Sequence, residues 1–177
     1  MTVSTYVLTN GGNIIVTYPW SIDQMMQANP TVSFTVPVSD EIAAEFNTFP
    51  VVDTPQPTYN PMTQDLNLVN PTRQDGIWHE QWSVTDVTPE VYAERLAAYR
   101  AGLSCTPLQG KIELDNQGLL DAAEAEILNA DKITKLAWNN ATIWYRTSPM
   151  IETLATGLGL SPDDLDNLFV QAAKITV

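Results

Sequence analysis

The distribution of proline divides this chain of 177 residues into two dissimilar parts. Nine of the twelve prolines precede residue 90, and the other three follow a serine or threonine, at Thr106-Pro107, Ser148-Pro149 and Ser161-Pro162. Because proline lacks an amide N–H but fits the first turn of a helix, such a pair is typical of a helix start. The pattern predicts an α+β chain with a proline-interrupted N-terminal part and a helical C-terminal part.

The predicted domains are a small β-rich N-terminal part over 1–87, a linking helix over 88–103 and a C-terminal helical bundle over 104–177. Two hairpins are expected in the first domain, because Asn-Gly and Asp-Gly favour tight turns. Their predicted strands are 3–9 with 13–17, around Asn10-Gly11-Gly12, and 66–69 with 77–84, around Asp75-Gly76.

Short helices are predicted to begin after Ser21, which forms a Ser-x-x-Gln pattern with Gln24, and after Ser39. The connector over 49–71 contains five prolines: Pro50, Pro55, Pro57, Pro61 and Pro71. Since proline cannot donate to a strand ladder, we expect an extended segment and no central strand there.

The C-terminal part shows helical periodicity. Apolar residues recur at helical spacing over 120–128, 133–144, 151–158 and 165–172. We expect these residues to form the core, including Leu128, Ile133 and Leu136, with Asp131 as a further helix cap. Trp138, Trp144 and Tyr145 are predicted to share one helix, which is either central in the bundle or in contact with a partner.

The formal charge is −13, from 8 basic and 21 acidic residues. Such a surface repels phosphate backbones and anionic lipids, so neither a nucleic acid nor a membrane is an expected partner. One cysteine and one histidine allow no internal disulfide and no Cys/His zinc cluster. Without a glycine-rich phosphate loop, no cofactor is predicted. Residues 1–12 hold no Lys or Arg and no long apolar run, which predicts a protein of a cytoplasm, or of a particle assembled there.

No catalytic constellation is predicted. His79 lies between Trp78 and Glu80 in a predicted strand, and nothing in the spacing brings Cys105 beside it. Nucleophilic catalysis needs such a neighbour, so the chain is predicted not to be an enzyme.

The acidic clusters have a simpler interpretation than a metal site. Asp163, Asp164 and Asp166 follow Ser161-Pro162, where negative charge complements the helix dipole. Glu113 belongs to a group of acids that is typical of a solvated helix face. No metal ligands are predicted.

Five residues form the predicted partner-binding set: Trp78, Trp82, Tyr92, Leu96 and Tyr99. The tryptophans alternate onto one face of the second hairpin, and the other three recur at spacings of four and three, as in a heptad seam. The seam either packs internally on the hairpin or is a docking or self-association helix. Tyrosine and tryptophan are typical interface hot spots, and a homo-oligomer is one possible assembly.

Several short motifs resemble those of bacteriophage tail genes. Those of the N-terminal half include Asn29-Pro30-Thr31-Val32-Ser33-Phe34, Gly76-x-Trp78-x-x-x-Trp82-x-Val84 and Thr88-Pro89-Glu90. Those of the C-terminal half include Gly118-Leu119-Leu120-Asp121-Ala122, Trp138-x-x-Ala141 and Arg146-x-x-Pro149. With them the chain resembles small tail-fibre assembly proteins and minor tail proteins of tailed bacteriophages. Thr35-Val36 depart from the pattern, because they delay the proline expected after Phe34.

The resemblance implies a non-enzymatic assembly protein, or chaperone, that binds a tail fibre or another tail protein such as a receptor-binding protein. It would act in the host cytoplasm during assembly and either leave or stay in the virion tail. One alternative is a permanent structural component, a minor tail or fibre-tip protein. Another is a glycan-acting enzyme, which requires two carboxylates facing each other in a cleft.

Overall fold

The computed structural model describes residues 3–176 and confirms an α+β fold. The chain divides into two compact units, Met1–Thr88 and Pro89–Val177, so the helix predicted to link two domains belongs to the second unit. Within the described residues, no helix combines the length and hydrophobicity that crossing a membrane requires.

The first unit contains a five-stranded sheet and two short helices. In chain order these are β1 (Val3–Thr9), β2 (Ile15–Trp20), α1 (Ile22–Ala28), α2 (Asp40–Glu45), β3 (Thr48–Val52), β4 (Gln64–Gln74) and β5 (Ile77–Asp86). The strand order is β2-β1-β3-β5-β4. Neighbouring strands are antiparallel except β3 and β5, which are parallel. The order leaves β2 and β4 at the edges.

Both predicted hairpins are confirmed, as β1–β2 and β4–β5. In the second, Gln74 pairs with Ile77 across the two-residue turn Asp75-Gly76. Both turn residues have positive φ, 50° and 85°. Turns of this kind match the right-handed twist of paired strands, which explains why Asp-Gly is favoured here.

The expectation that the proline-rich segment holds no central strand is wrong. β3 contains Pro50 and is the middle strand of the sheet. Its parallel pairing with β5 involves only Val51 and Val52. Because that pairing begins after Pro50, the missing N–H of the proline removes no bond from the parallel ladder.

Pro71 also lies within a strand, in β4. The register between β4 and β5 shifts between Val69 and Thr72, so the proline falls in an irregularity of an edge strand. Edges and bulges are the places where a sheet accepts proline. The prediction of a partner strand at 66–69 is confirmed, but the observed strand is longer, from Gln64 to Gln74.

Both short helices begin as predicted. The Ser21 hydroxyl accepts a hydrogen bond from the Gln24 amide, and the Ser39 hydroxyl accepts one from the Ile42 amide. Each serine thereby satisfies a backbone donor that the first turn leaves without a partner.

The second unit consists of six helices and two short strands. In chain order these are α3 (Pro89–Gly102), β6 (Ser104–Cys105), α4 (Pro107–Asn116), α5 (Leu120–Asn129), α6 (Lys132–Asn140), β7 (Trp144–Tyr145), α7 (Pro149–Gly157) and α8 (Pro162–Ala172). The Ser/Thr-Pro pairs and Asp131 all precede helices as predicted, and Thr106 and Ser161 form complete capping boxes.

The prediction that Trp144 and Tyr145 continue the helix of Trp138 is wrong. α6 ends at Asn140, and the side-chain amides of Asn139 and Asn140 donate to the backbone carbonyls of Lys135 and Leu136, four residues earlier in the helix. The chain then becomes extended, and β7 pairs with β6. The helix thus ends although apolar residues continue at helical spacing, and asparagine side chains that bond to nearby backbone groups favour such an end.

The core of the second unit is larger than that of the first. It includes Leu114, Ile127, Trp138, Trp144, Ile151, Leu154, Leu168 and Phe169. The prediction that Leu128, Ile133 and Leu136 belong to this core is wrong, because all three side chains are exposed.

Candidate protein-binding site

The two tryptophans of the predicted partner-binding set, Trp78 and Trp82, make contacts within the first unit itself. Trp78 is only 4% exposed and forms the small core of the first unit with Val7 and Val51. Trp82 is half-buried, and its indole N–H contacts the Glu80 carboxylate at 3.1 Å and the Thr54 carbonyl at 3.2 Å. Trp78 therefore offers almost no surface to a partner.

Tyr92, Leu96 and Tyr99 all lie on α3, in the second unit. The tyrosines are 39% and 41% exposed, whereas Leu96 is half-buried. No side chain of α3 is fully buried. The tyrosines therefore remain candidates for partner contact. They do not belong to one surface with the two tryptophans, which lie in the first unit.

An ionic cluster attaches α3 to α8 and to the segment after β7. One Asp166 carboxylate oxygen accepts from Arg146 Nε at 2.6 Å and the other from Arg100 Nε at 2.8 Å. Arg146 and Asp166 are buried, and Asp166 lies beyond the first turn of α8, so the interpretation of Asp166 as a first-turn acid that complements the helix dipole is wrong. Both carboxylate oxygens are occupied by guanidinium groups, which makes this cluster a structural link.

Glu113 is the second acid whose predicted position is wrong, because it is buried rather than solvated. Its carboxylate accepts from the side-chain amides of Gln117 at 2.8 Å and Asn116 at 3.3 Å. These local amide donors make its burial tolerable. Among residues 3–176, no group of three or more His, Cys, Asp or Glu side chains is arranged to hold a metal ion.

Cys105 is buried in β6, whereas His79 is half-buried in β5 of the first unit. Burial raises the pKa of the Cys105 thiol to about 11, although a backbone hydrogen bond from Gly110 lowers it in part. The thiol is therefore protonated at neutral pH, and a protonated, inaccessible thiol is a poor nucleophile.

The outer side of α6 carries two exposed large apolar side chains, one of which, Ile133, has the largest exposed fraction among the large apolar residues described in the second unit. Ile133 is 79% exposed and Leu136 is 53% exposed, and they are three residues apart on one side of the helix. We call these two residues the α6 face. An exposed isoleucine or leucine alone needs no explanation, but adjacent ones mark a candidate contact surface.

An apolar groove of about 230 Å³ borders the α6 face on one flank. Its apolar lining includes Ile133, Ala137, Ala141, Ile143 and Pro149. Ile143 is also exposed. The groove extends the α6 face into a concave surface that an apolar side chain of a partner can enter.

A second groove, of about 290 Å³, lies on the opposite flank of α6. Residues of α4, α5 and α6 line it: Lys111, Glu124, Ile127, Leu128, Lys135, Trp138 and Asn139. We call it the lysine groove. The Lys111 ammonium group lies 4.9 Å from the centroid of the Trp138 ring, within cation–π range.

Sequence reasoning missed both grooves because it assigned Leu128, which lines the lysine groove, and Ile133 and Leu136 to the core. The helical spacing contained a signal against this. Ile133 and Trp138 are five residues apart, which separates them by roughly 140° around a helix. A short helix with one inner side cannot bury both, and the larger Trp138 is the one that is buried.

No family model, no curated protein and no solved structure matches this chain. The candidate site therefore depends on its own geometry.

Proposed function

We propose that the chain is a non-enzymatic protein that binds another protein through the α6 face and the apolar groove beside it. On the resemblance of its motifs, the partner is a tail fibre or receptor-binding protein of a tailed bacteriophage, whose assembly or attachment it assists. In this proposal the C-terminal helical part carries the contact, and the small β-rich N-terminal part is joined to it as a separate unit.

The observation that carries the proposal is the exposure of Ile133 and Leu136 beside a groove with an apolar lining. Keeping these side chains in water costs about 25 cal/mol for each Å² of apolar surface, which a partner recovers on binding. Interface cores combine such apolar anchors with a concave receptor surface.

The test is co-expression of the chain with a neighbouring fibre protein, followed by affinity capture. The double variant Ile133→Ser/Leu136→Ser is expected to lose the complex, because both apolar anchors become polar. Val36→Ser is the control, since Val36 is 76% exposed, comparable to Ile133, but lies in the first unit. A complex that survives the double variant would refute the α6 face as the contact.

Tyr92 and Tyr99 provide the competing site. If α3 were the docking helix, Tyr92→Ala and Tyr99→Ala would each weaken binding by about 2 kcal/mol. Under the present proposal both variants bind as the parent chain does. The same affinity measurement therefore decides between the two surfaces.

The alternative, a permanent minor tail or fibre-tip component, uses the same surface and differs in its fate. Mass spectrometry of purified particles separates the two. Stoichiometric amounts of the chain in the virion indicate a component, and its absence indicates a released assembly protein.

A further inference from the structure

The lysine groove concentrates positive charge in a chain whose formal charge is −13. The sequence contains four lysines, and three of them lie on two helices that contribute to this groove, Lys111 on α4 and Lys132 and Lys135 on α6. Lys111 and Lys135 line the groove directly, opposed there by a single carboxylate, that of Glu124.

The positions of Lys132 and Lys135 are unfavourable for α6 itself. Both lie in the first turns of the helix, where the dipole disfavours positive charge, and they are like charges three residues apart. Asp131 offsets part of this as the N-cap. Within residues 3–176, no carboxylate lies within ion-pair distance of either ammonium group. Helix stability therefore does not explain these lysines.

The groove also offers an apolar surface. Leu128 at its edge is 75% exposed, and Ile127 and Trp138 provide buried apolar lining. A ligand that fits must therefore combine an apolar side chain with negative charge on either side of it.

We propose that the lysine groove binds an acidic amphipathic segment of the partner protein, with an apolar anchor against Leu128 and carboxylates facing Lys111 and Lys135. This inference names the chemistry of the partner and rests on the proposed function. An amphipathic helix in a groove is an established mode of peptide recognition. Because the rest of the chain is acidic and repels such a segment, the lysines also determine where it docks.

The probe is a fluorescently labelled helical peptide of about 15 residues with leucine along one side and glutamate elsewhere. A second peptide has glutamine in place of every glutamate. Anisotropy titrations of the full chain are expected to show tighter binding of the glutamate peptide. Its advantage should disappear between about 0.01 M salt, where the Debye length is about 30 Å, and about 1 M, where it is about 3 Å.

The variant Lys111→Gln/Lys135→Gln is expected to weaken binding of the glutamate peptide about tenfold and to leave the glutamine peptide unchanged. Lys174→Gln is the matched control for the single variant Lys135→Gln, because each removes one positive charge and Lys174 follows α8 and does not line the groove. Lys135→Gln alone keeps the contact of Lys111 with Trp138 and is expected to show part of the loss. Thermal unfolding of each variant verifies folding.

Equal binding of the two peptides, or an unchanged affinity in the double lysine variant, would overturn the inference. The outcome is separable from that of the proposed function. If the fibre complex requires Ile133 and Leu136 but not the lysines, the function stands and this inference fails. If the peptide requires the lysines while no fibre complex forms, the groove stands and the proposed partner fails.

Discussion

In the first unit the sheet buries Trp78 almost completely, whereas in the second unit α6 leaves Ile133 and Leu136 in water. Trp78 lies on β5, between β3 and β4, so neighbouring strands carry Val51 and other apolar groups to its side. In α6, Trp138 is buried in the core of the second unit, whereas Ile133 and Leu136 lie on the exposed side of the helix. The comparison teaches that burial depends on what surrounds an element, and that apolar content alone does not identify a core.

The largest effect is expected from removing the indole ring of Trp78, which the first unit buries. Trp78→Ala should lower the unfolding free energy of that unit by about 3–5 kcal/mol, through lost burial and a residual cavity. Hydrogen–deuterium exchange of the amides of β1, β3 and β5 measures the effect. If the variant keeps its amide protection against exchange but loses partner binding, Trp78 is a partner-binding residue and the present assignment is wrong.

The second prediction concerns the buried charge of the second unit. Asp166→Asn should destabilise it by about 3 kcal/mol, because Arg100 and Arg146 lose their shared counter-charge. Asp163→Asn is the control, since the Asp163 side chain is 95% exposed and contacts only Arg100 within the described ion pairs. Urea titrations monitored by the circular dichroism of the helices give both free energies of unfolding. Equal effects of the two variants would contradict the role of Asp166 as the buried counter-charge of the two arginines.

The third prediction uses Cys105 to probe the same core by pH. Burial raises the pKa of the folded thiol to about 11, so the folded state holds its proton where the unfolded chain has lost it. The resulting stability is complete below the unfolded pKa of roughly 9 and is lost as pH rises to about 11, amounting to roughly 2–3 kcal/mol. Cys105→Ala, which cannot titrate, isolates this contribution from the tyrosines and lysines. Identical pH profiles of the parent chain and the variant would exclude it.

The fourth prediction tests how tightly Trp144 is packed. A Cβ at Gly110 would lie 2.5 Å from two carbons of the Trp144 ring, whereas a Cβ at Gly102 meets nothing within 4 Å. Gly110→Ala should therefore destabilise the unit by about 1–2 kcal/mol through overpacking. Gly102→Ala should leave the melting temperature nearly unchanged. A neutral Gly110→Ala would mean that the ring moves freely.

The smallest effect on stability is expected at the exposed α6 face. Ile133→Ser and Leu136→Ser should each change the unfolding free energy by less than about 0.5 kcal/mol, because exposed positions contribute little. Thermal unfolding measures this. A large loss would show that the α6 face is covered within the chain itself, and it would remove the basis of the proposed contact.

Much of the fold could be predicted from local chemistry. Asp75-Gly76 specified a hairpin because few residue pairs adopt two successive positive φ angles, and Thr106-Pro107 and Ser161-Pro162 specified helix starts because the cap and the proline both act within one turn. The candidate site was not predictable in the same way. Ile133 and Trp138 both fit the helical period, and only the packing of α6 decides which one is covered.

The sequence by itself determined the two hairpin turns and the starts of the capped helices, since caps, turns and prolines act over three or four residues. Only the tertiary structure decided that Pro50 lies in the central strand, that Asp166 pairs with two arginines, and that Ile133 and Leu136 remain outside. The physical reason is that burial and ion pairing depend on residues distant in sequence, such as Arg100 and Asp166, which are 66 positions apart.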